Sequence, residues 1–452
     1  MFRSVLVANR GEIALRILKA LRELEIRSVA AYSEADRDSP HLEMADETVC
    51  IGGPRSGESY LNMEAVIQAA LQADCQAVHP GFGFLAENAL FATMCGQAKI
   101  TFIGPSPQAI RDMGIKASAR ETMRAVGLDP IPGSRGLVRT LEVAREVAGT
   151  MGYPVLLKAS AGGGGRGMRV AEDEAGLENA FAQARMESEK AFGNADLYLE
   201  KFIRGGRHIE FQILADVYGN AVHLGERECS VQRNHQKLVE ESPSPVVTAE
   251  MRAEVGNRVA AAVARIGYFN AGTVEFLRDV DGTLYFMEMN TRLQVEHPVT
   301  EMVTGFDIVK EQIAIAANRC LSISQDQVML TGHAIEVRIN AEDPAEGFKP
   351  TPGQVTVFSP PVEGDGVRVD THVQEGYVVP PFYDSMIAKL ICHGPDRMTA
   401  IEKTITALND FKIEGVKSTI PIHLKTLHSE EFRSGNYDTR LVGKLLAERS
   451  VN

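Results

Sequence analysis

The chain has 452 residues, enough for two to four domains, and its 44% hydrophobic and 24% charged content is ordinary for a soluble globular protein. A net charge of −13 without a basic run argues against nucleic acid or an anionic membrane as the main partner, so an anionic substrate needs a local basic cluster. Six cysteines at 50, 75, 95, 229, 320 and 392 lack CxxC spacing, which suggests neither a zinc site nor a disulfide framework; with no signal peptide or membrane span evident, the expectation is a cytosolic protein.

In chain order, residues 1–112 alternate short apolar runs (SVLVAN, RSVAAYS, CQAVHP, KITFIGP) with helical patterns, which predicts a parallel α/β domain with crossover helices. The loop NRGEIA has one glycine where a dinucleotide fingerprint needs three, so a nicotinamide site is not expected. HPGFGFLAEN is a glycine-rich turn opening a helix, as consistent with a tight connection as with ligand contact. A linking helical segment is expected at 113–130, closed by the breaker PIPGS. A small α/β unit follows at 131–203, then a larger one from 204 to the end.

Four stretches carry chemistry. Lys158 ends the strand PVLLK and is followed by a glycine run containing Gly163, Gly164 and Gly165. Such a loop lets backbone N–H groups approach phosphates, although it is not a Walker loop because the lysine precedes the glycines. GTVEFL and TLYFME, joined by DVDG, predict an antiparallel hairpin with Glu275 and Glu288 on one face; with the Asn290 oxygen they form a hard donor set suited to magnesium or manganese. ERECSVQRNHQKLVEE gathers Gln232, Arg233, His235, Gln236 and Lys237, donors able to contact phosphate or bicarbonate, while Cys229 reads as a small buried hydrophobe. In EMNTRLQVEH, Glu288, Asn290, Arg292, Gln294 and Glu296 fall on every second position; an extended segment would line them up over Met289, Thr291, Leu293 and Val295.

These motifs, together with NRGEIALR, RHIEFQ, RINAEDP and PPFYDSMIAKL, resemble biotin carboxylase, the ATP-grasp subunit of biotin-dependent carboxylases such as acetyl-CoA carboxylase, over nearly the whole chain. The resemblance implies an N-terminal parallel-sheet domain, an ATP-grasp fold with a mobile lid subdomain at 131–203, and a C-terminal region at 204–452. It implies ATP phosphates on Lys116, Lys158, the glycine loop and His208, and adenine near Glu200 and Lys201 with His235 close by. It puts metals on Glu275 and Glu288, and bicarbonate on Lys237, Arg292, Gln294 and the Val295 amide. Glu296 would be the base, and Arg338 would lie beside the biotin ureido oxygen. Phe82 stands where many relatives carry tyrosine, and Ile115 where an aspartate is common.

The implied activity is ATP-dependent carboxylation of biotin by bicarbonate through carboxyphosphate. Implied partners are a biotin carboxyl carrier protein and a carboxyltransferase; no MKM-like biotinylation turn occurs in the chain, so biotin is expected in trans. A homodimer is implied, with Arg16, Lys19, Glu23 and Arg368 near the contact. The final acceptor, whether acetyl-CoA, propionyl-CoA, pyruvate or another, stays open. So do two other functions: an ATP-grasp ligase making another acyl or carbamoyl phosphate, and a nucleotide-binding subunit without catalysis.

Overall fold

The computed structural model describes residues 1–159 and 168–448, and leaves the side chains of Lys116, Ala117 and Phe192 outside that description. The four apolar runs of the first domain become β1 (Ser4–Val7), β2 (Arg27–Tyr32), β4 (Ala77–His79) and β5 (Thr101–Phe102), and the mostly exposed edge strand β3 (Glu47–Cys50), which the runs did not mark, completes a five-stranded parallel sheet in the order β3-β2-β1-β4-β5. β1 is buried at all four positions, as a central parallel strand covered on both faces must be. Helix α1 (Gly11–Glu23) starts at Gly11, whose φ of +69° a side chain would resist. Its Ile13 and Ile17 pack with Leu214, Leu224, Ala271 and Ile313 of the larger domain, so one core spans both.

The segment read as one helical stretch near residue 115 divides into Pro107–Gly114 and Lys116–Ala125. Ile115 between them is extended (φ −93°, ψ 104°) and stands at the N-cap of the second helix with no side-chain hydrogen bond. Isoleucine has no acceptor for the free N–H groups of a first turn.

A three-stranded antiparallel sheet follows, in the order Arg169–Ala171, Val155–Ala159, Leu197–Lys201, backed by helices Leu141–Met151 and Glu174–Phe192. The glycine run, including Gly163, Gly164 and Gly165, and with it the lid expected there, lies outside the described residues.

The rest is organised by one eight-stranded antiparallel sheet. Its first six members in space are Leu284–Asn290, Asn270–Arg278, Arg207–Ala215, Ala221–Arg233, Gln236–Ser242 and His333–Asn340; Met386–Gly394 and Val367–Thr371 complete it. The hairpin predicted around DVDG forms, closed by Gly282 at φ +95°, and it pairs Glu275 directly with Glu288. Among the described residues no helix is long and apolar enough to cross a membrane.

Glu241 ties this sheet to the C-terminal helices. It accepts from His333 Nε2 (2.6 Å), from Arg397 (2.7 and 3.0 Å) and from the Tyr437 hydroxyl, and it is 1% exposed. Burial alone would raise this carboxyl, but His333 and Arg397 hold it down to about 2. The stabilisation is therefore complete above the unfolded value of 4.5 and is lost as pH falls toward 2. Glu241→Gln is expected to cost about 3–5 kcal/mol in denaturant unfolding at neutral pH, with the difference from wild type vanishing near the bottom of that window. Ile115→Asp, which supplies the missing cap, is expected to raise stability by about 0.5–2 kcal/mol in the same measurement.

Candidate active site

A cleft of about 1210 Å³ opens between the first domain, the three-stranded sheet and one face of the eight-stranded sheet. Strand alternation explains what lines it. His208, Glu210 and Gln212 share a face of Arg207–Ala215; Arg227 lies opposite Glu210 on one neighbour, and Glu275 and Thr273 lie opposite Glu210 and Gln212 on the other. Glu288 continues the row on the edge strand. These strands are buried almost throughout, so the polar face is a site built inside the protein and not a wet exterior.

At its centre is Lys237. Its Nζ donates to Glu210 (2.5 Å), Glu275 (3.2 Å) and Glu296 (2.5 Å). Burial would lower this ammonium, but the three carboxylates hold it well above its ordinary value. Arg338, on the strand beyond Lys237's own, bridges Glu240 (2.6 Å) and Glu296 (2.8 Å). Burial likewise opposes ionisation of Glu296, and Lys237, Arg338 and Arg227 overcome it, holding the carboxyl well below the usual range. Glu296 is fully buried behind the cleft wall that Lys237 and Arg338 form.

The extended row expected from Glu288 to Glu296 ends at Asn290. The chain then turns, and Glu296 (φ −82°, ψ 11°) becomes the N-cap of helix His297–Thr304, with Pro298 in its first turn. The polar residues nevertheless converge, because side-chain bonds replace the pleat. Arg292 donates to Gln294 (2.8 Å), to Asn290 (3.2 Å) and to Glu87 (2.8 Å), and Gln294 donates to Glu275 (3.1 Å). Thr291 and Leu293 are buried as expected, and the Val295 carbonyl accepts from Lys389 (2.9 Å).

Toward the three-stranded sheet the cleft meets Lys158, Glu200, Lys201, Gln232 and His235. Glu200, 2% exposed, pairs with Lys158 (2.5 Å) and with Arg120, and Lys201 donates to the Gly152 and Tyr153 carbonyls (both 3.1 Å). Gln232 stands opposite Lys237 across the hairpin that Asn234 and His235 close with φ of +48° and +66°. Arg233 is turned away onto the Phe348 ring and takes no part. The Lys116 side chain lies outside the described residues.

The residues that fit a divalent cation are Glu275 and Glu288, a register pair of carboxylates suited to magnesium or manganese. Glu275 accepts from Asn290 Nδ2 (2.7 Å), Lys237 and Gln294, and His208 Nε2 lies 3.0 Å from it as an ion-pair partner, a set that a cation would supplant. Asn290 turns its nitrogen to Glu275, so its amide has to turn over to serve as an oxygen ligand.

Sequence reasoning missed Glu210, Arg227, Gln212, Glu240, Glu336, Lys389, Glu87 and Arg120 as parts of the site. Arg227 is wholly buried and donates to Glu210 (2.5 Å), Gln212 (2.7 Å), Thr300 (2.9 Å) and Thr273 (3.1 Å). The usable signal was polar residues at every second position of an otherwise apolar strand, as in HIEFQ, and three consecutive charges inside a strand, as in GEREC.

Fold and site together are those of an ATP-grasp enzyme. Family models match residues 1–110 (biotin carboxylase, N-terminal domain), 116–324 (carbamoyl-phosphate synthase L chain, ATP binding domain) and 336–444 (biotin carboxylase C-terminal domain). The chain is 53% identical to a biotin carboxylase of Nostoc sp. over 98% of its length and 99% of the relative's, and 52% identical to biotin carboxylase 1 of Bacillus subtilis, covering 98% of each. Among solved structures it resembles the biotin carboxylase domain dimer of Hydrogenobacter thermophilus 2-oxoglutarate carboxylase in complex with MgADP, ADP and bicarbonate (TM-score 0.93, 48% identity, 99% of each chain). It also resembles a biotin carboxylase–β-γ-ATP complex from Campylobacter jejuni (TM-score 0.93, 47% identity, 98% and 99% covered). The chain belongs to the biotin carboxylase family.

Arg227 gives this network a direct test. Arg227→Met is expected to cost about 3–5 kcal/mol by leaving Glu210 buried with one cation fewer, measured by denaturant unfolding; Thr273→Val, which removes one neutral acceptor, is expected to cost about 1–2 kcal/mol.

Proposed function

We propose that the chain uses this cleft to activate bicarbonate with ATP and to carboxylate the ureido nitrogen of biotin, the first half-reaction of a biotin-dependent carboxylase. The observation that carries the reading is the Glu296 carboxylate clamped between Lys237 and Arg338 (2.5 and 2.8 Å) behind the cleft wall. An anion entering between those two cations meets an ionised base immediately behind them.

In this reading Lys237, Arg292, Gln294 and the Val295 amide hold bicarbonate, whose hydroxyl proton passes to Glu296 while the freed oxygen attacks the γ-phosphorus and the bond to ADP breaks. Held so far below the ordinary carboxylate range, Glu296 is always ionised at neutral pH but is a weak acceptor, so proton transfer has to accompany phosphorus–oxygen bond formation. Carboxyphosphate then separates into CO2 and phosphate, and the phosphate takes the ureido N–H proton. Arg338 stabilises the charge on the ureido oxygen as the nitrogen attacks CO2. Lys116, Lys158, His208 and the glycine run with Gly163, Gly164 and Gly165 bind the phosphates, and Glu200, Lys201, Gln232 and His235 the remainder of the nucleotide. Glu275, Glu288 and Asn290 are the residues for magnesium or manganese, which when bound neutralises phosphate charge.

Biotin arrives on a carrier protein, and a carboxyltransferase takes the product on to its acceptor. We also read the chain as a homodimer, although Arg16 (to Glu301 and Asp307, 2.9 and 2.7 Å), Glu23 (to Lys310, 2.5 Å) and Arg368 (to Glu301 and Asp370, 2.8 and 2.7 Å) already have partners within one chain. The cysteines among the described residues are unpaired, which suits the reducing cytosol where we expect the reaction.

Purified chain, ATP, magnesium and bicarbonate should form carboxybiotin on carrier-borne biotin far faster than on free biotin, which lacks docking contacts. Glu296→Gln should lower that rate by about 10² or more while nucleotide binding persists. Arg338→Gln should reduce carboxybiotin formation more than bicarbonate-dependent ATP cleavage. Normal turnover by Glu296→Gln, or equal losses in Arg338→Gln, would overturn the corresponding role.

A further inference from the structure

Behind Arg338 lies a pair of acids that the reaction just described does not use. Glu240 and Glu336 stand directly opposite one another on neighbouring strands, and both are 0% exposed. Residues so paired have Cβ atoms about 4.5–5.5 Å apart, close enough for two carboxyl groups to meet. Among the described residues, no group donates a hydrogen bond to either oxygen of Glu336 or to Oε2 of Glu240. Two adjoining buried carboxylates with three bare oxygens are costly to ionise together, and the cost falls when one proton lies between them.

The pair is wired to the chemistry through one guanidinium. Arg338 is two residues from Glu336 on the same strand face. Its NH2 group reaches Glu240 Oε1 (2.6 Å) and Glu296 Oε2 (2.8 Å) at once. The charged and titratable groups facing the pair are Arg338, Lys389 from the strand on the far side, Lys237 and Cys229 from the near side, and Glu296 from the turn before its helix. Lys389 is itself engaged by Glu12 (3.1 Å) and the Val295 carbonyl (2.9 Å).

We propose that Glu240 and Glu336 are a positioning dyad that shares one proton and thereby sets how much of Arg338's charge is left for biotin. This rests on the assignment of Arg338 to the ureido oxygen. With the proton in place the dyad carries a single negative charge, and Arg338 remains effective toward the cleft. When the proton is lost to solvent the dyad carries two, draws the guanidinium back, and the ureido oxygen loses its support. Burial pushes Glu240 up to about 7 and Glu336 well above the carboxylate range, against the pull of Arg338 and Lys389, so one proton stays with the pair at neutral pH, chiefly on Glu336, and is released on the alkaline side. Bicarbonate-dependent ATP cleavage, which precedes the need for that charge, should not register the loss.

The test compares pH profiles of carboxybiotin formation and of biotin-independent, bicarbonate-dependent ATP cleavage. In wild type, carboxybiotin formation should fall about tenfold per pH unit above the dyad's ionisation while ATP cleavage does not. Glu336→Gln fixes the singly charged state and should abolish that alkaline limb. Infrared spectra of wild type should contain a protonated-carboxyl band at neutral pH that disappears along the limb and is missing from Glu336→Gln. An unchanged profile in folded Glu336→Gln, a limb shared by both wild-type reactions, or no protonated carboxyl at neutral pH overturns the dyad; the infrared result stands even if a variant does not fold. Wild type that cleaves ATP with bicarbonate but never forms carboxybiotin would instead overturn the function proposed above.

Discussion

The structure depends on one ammonium group held among three buried carboxylates. Lys237 contacts Glu210, Glu275 and Glu296, which come from two different strands and a helix N-terminus. Burying any of these charges alone is costly, and their mutual satisfaction, extended by Arg227 and Arg338, makes the arrangement tenable. The same arrangement holds Glu275 and Glu296 below the ordinary carboxylate range, while burial pushes Glu210 up. A cation or a phosphate entering the cleft therefore exchanges one set of ionic partners for another instead of charging an empty apolar space.

The first domain is fastened to this cluster by ion pairs that do not touch Lys237. Glu87 holds Arg292 (2.8 Å), Glu12 holds Lys389 (3.1 Å), and Arg16 holds Glu301 (2.9 Å) on the helix that Glu296 caps. With Ile13 and Ile17 in the shared core, these contacts fix the orientation of the bicarbonate-side residues from below. Cys229, read as a small buried hydrophobe, is wholly buried, but it sits among charges: its Sγ donates to Glu296 Oε1 (4.0 Å), and burial pushes its thiol well above the ordinary value.

Much of this was legible in the sequence because strand periodicity and polarity coincide. The four apolar runs of the first domain and the Glu275–Glu288 pairing follow from local pattern alone, whereas the exposed edge strand Glu47–Cys50 does not. What local pattern could not reveal was long-range register. Glu210, Glu240 and Glu336 look like surface glutamates until the sheet sets them against Lys237, Arg338 and each other. The alternation through EMNTRLQVEH was real, but its cause beyond Asn290 is a web of side-chain bonds and a helix cap, which a period of two does not distinguish from a strand. The break at Ile115 was hidden for a similar reason, since the residues on either side suit a helix and only the missing cap marks the division.

The eight-stranded sheet has a consequence for how the chain may be divided. The ATP-binding family model ends at 324 and the C-terminal model begins at 336, yet Gln236–Ser242 and His333–Asn340, one on each side of that boundary, are hydrogen-bonded neighbours. A cut between the models would separate Arg338 from Lys237 and Glu296. It would also bare two long edges whose unpaired N–H and C=O groups invite association with other chains. Sequence modules and folding units therefore do not coincide here: the region from Arg207 to Gly394 is a single mechanical body, and recombination between relatives will tolerate crossovers in its peripheral loops better than at the modular seam.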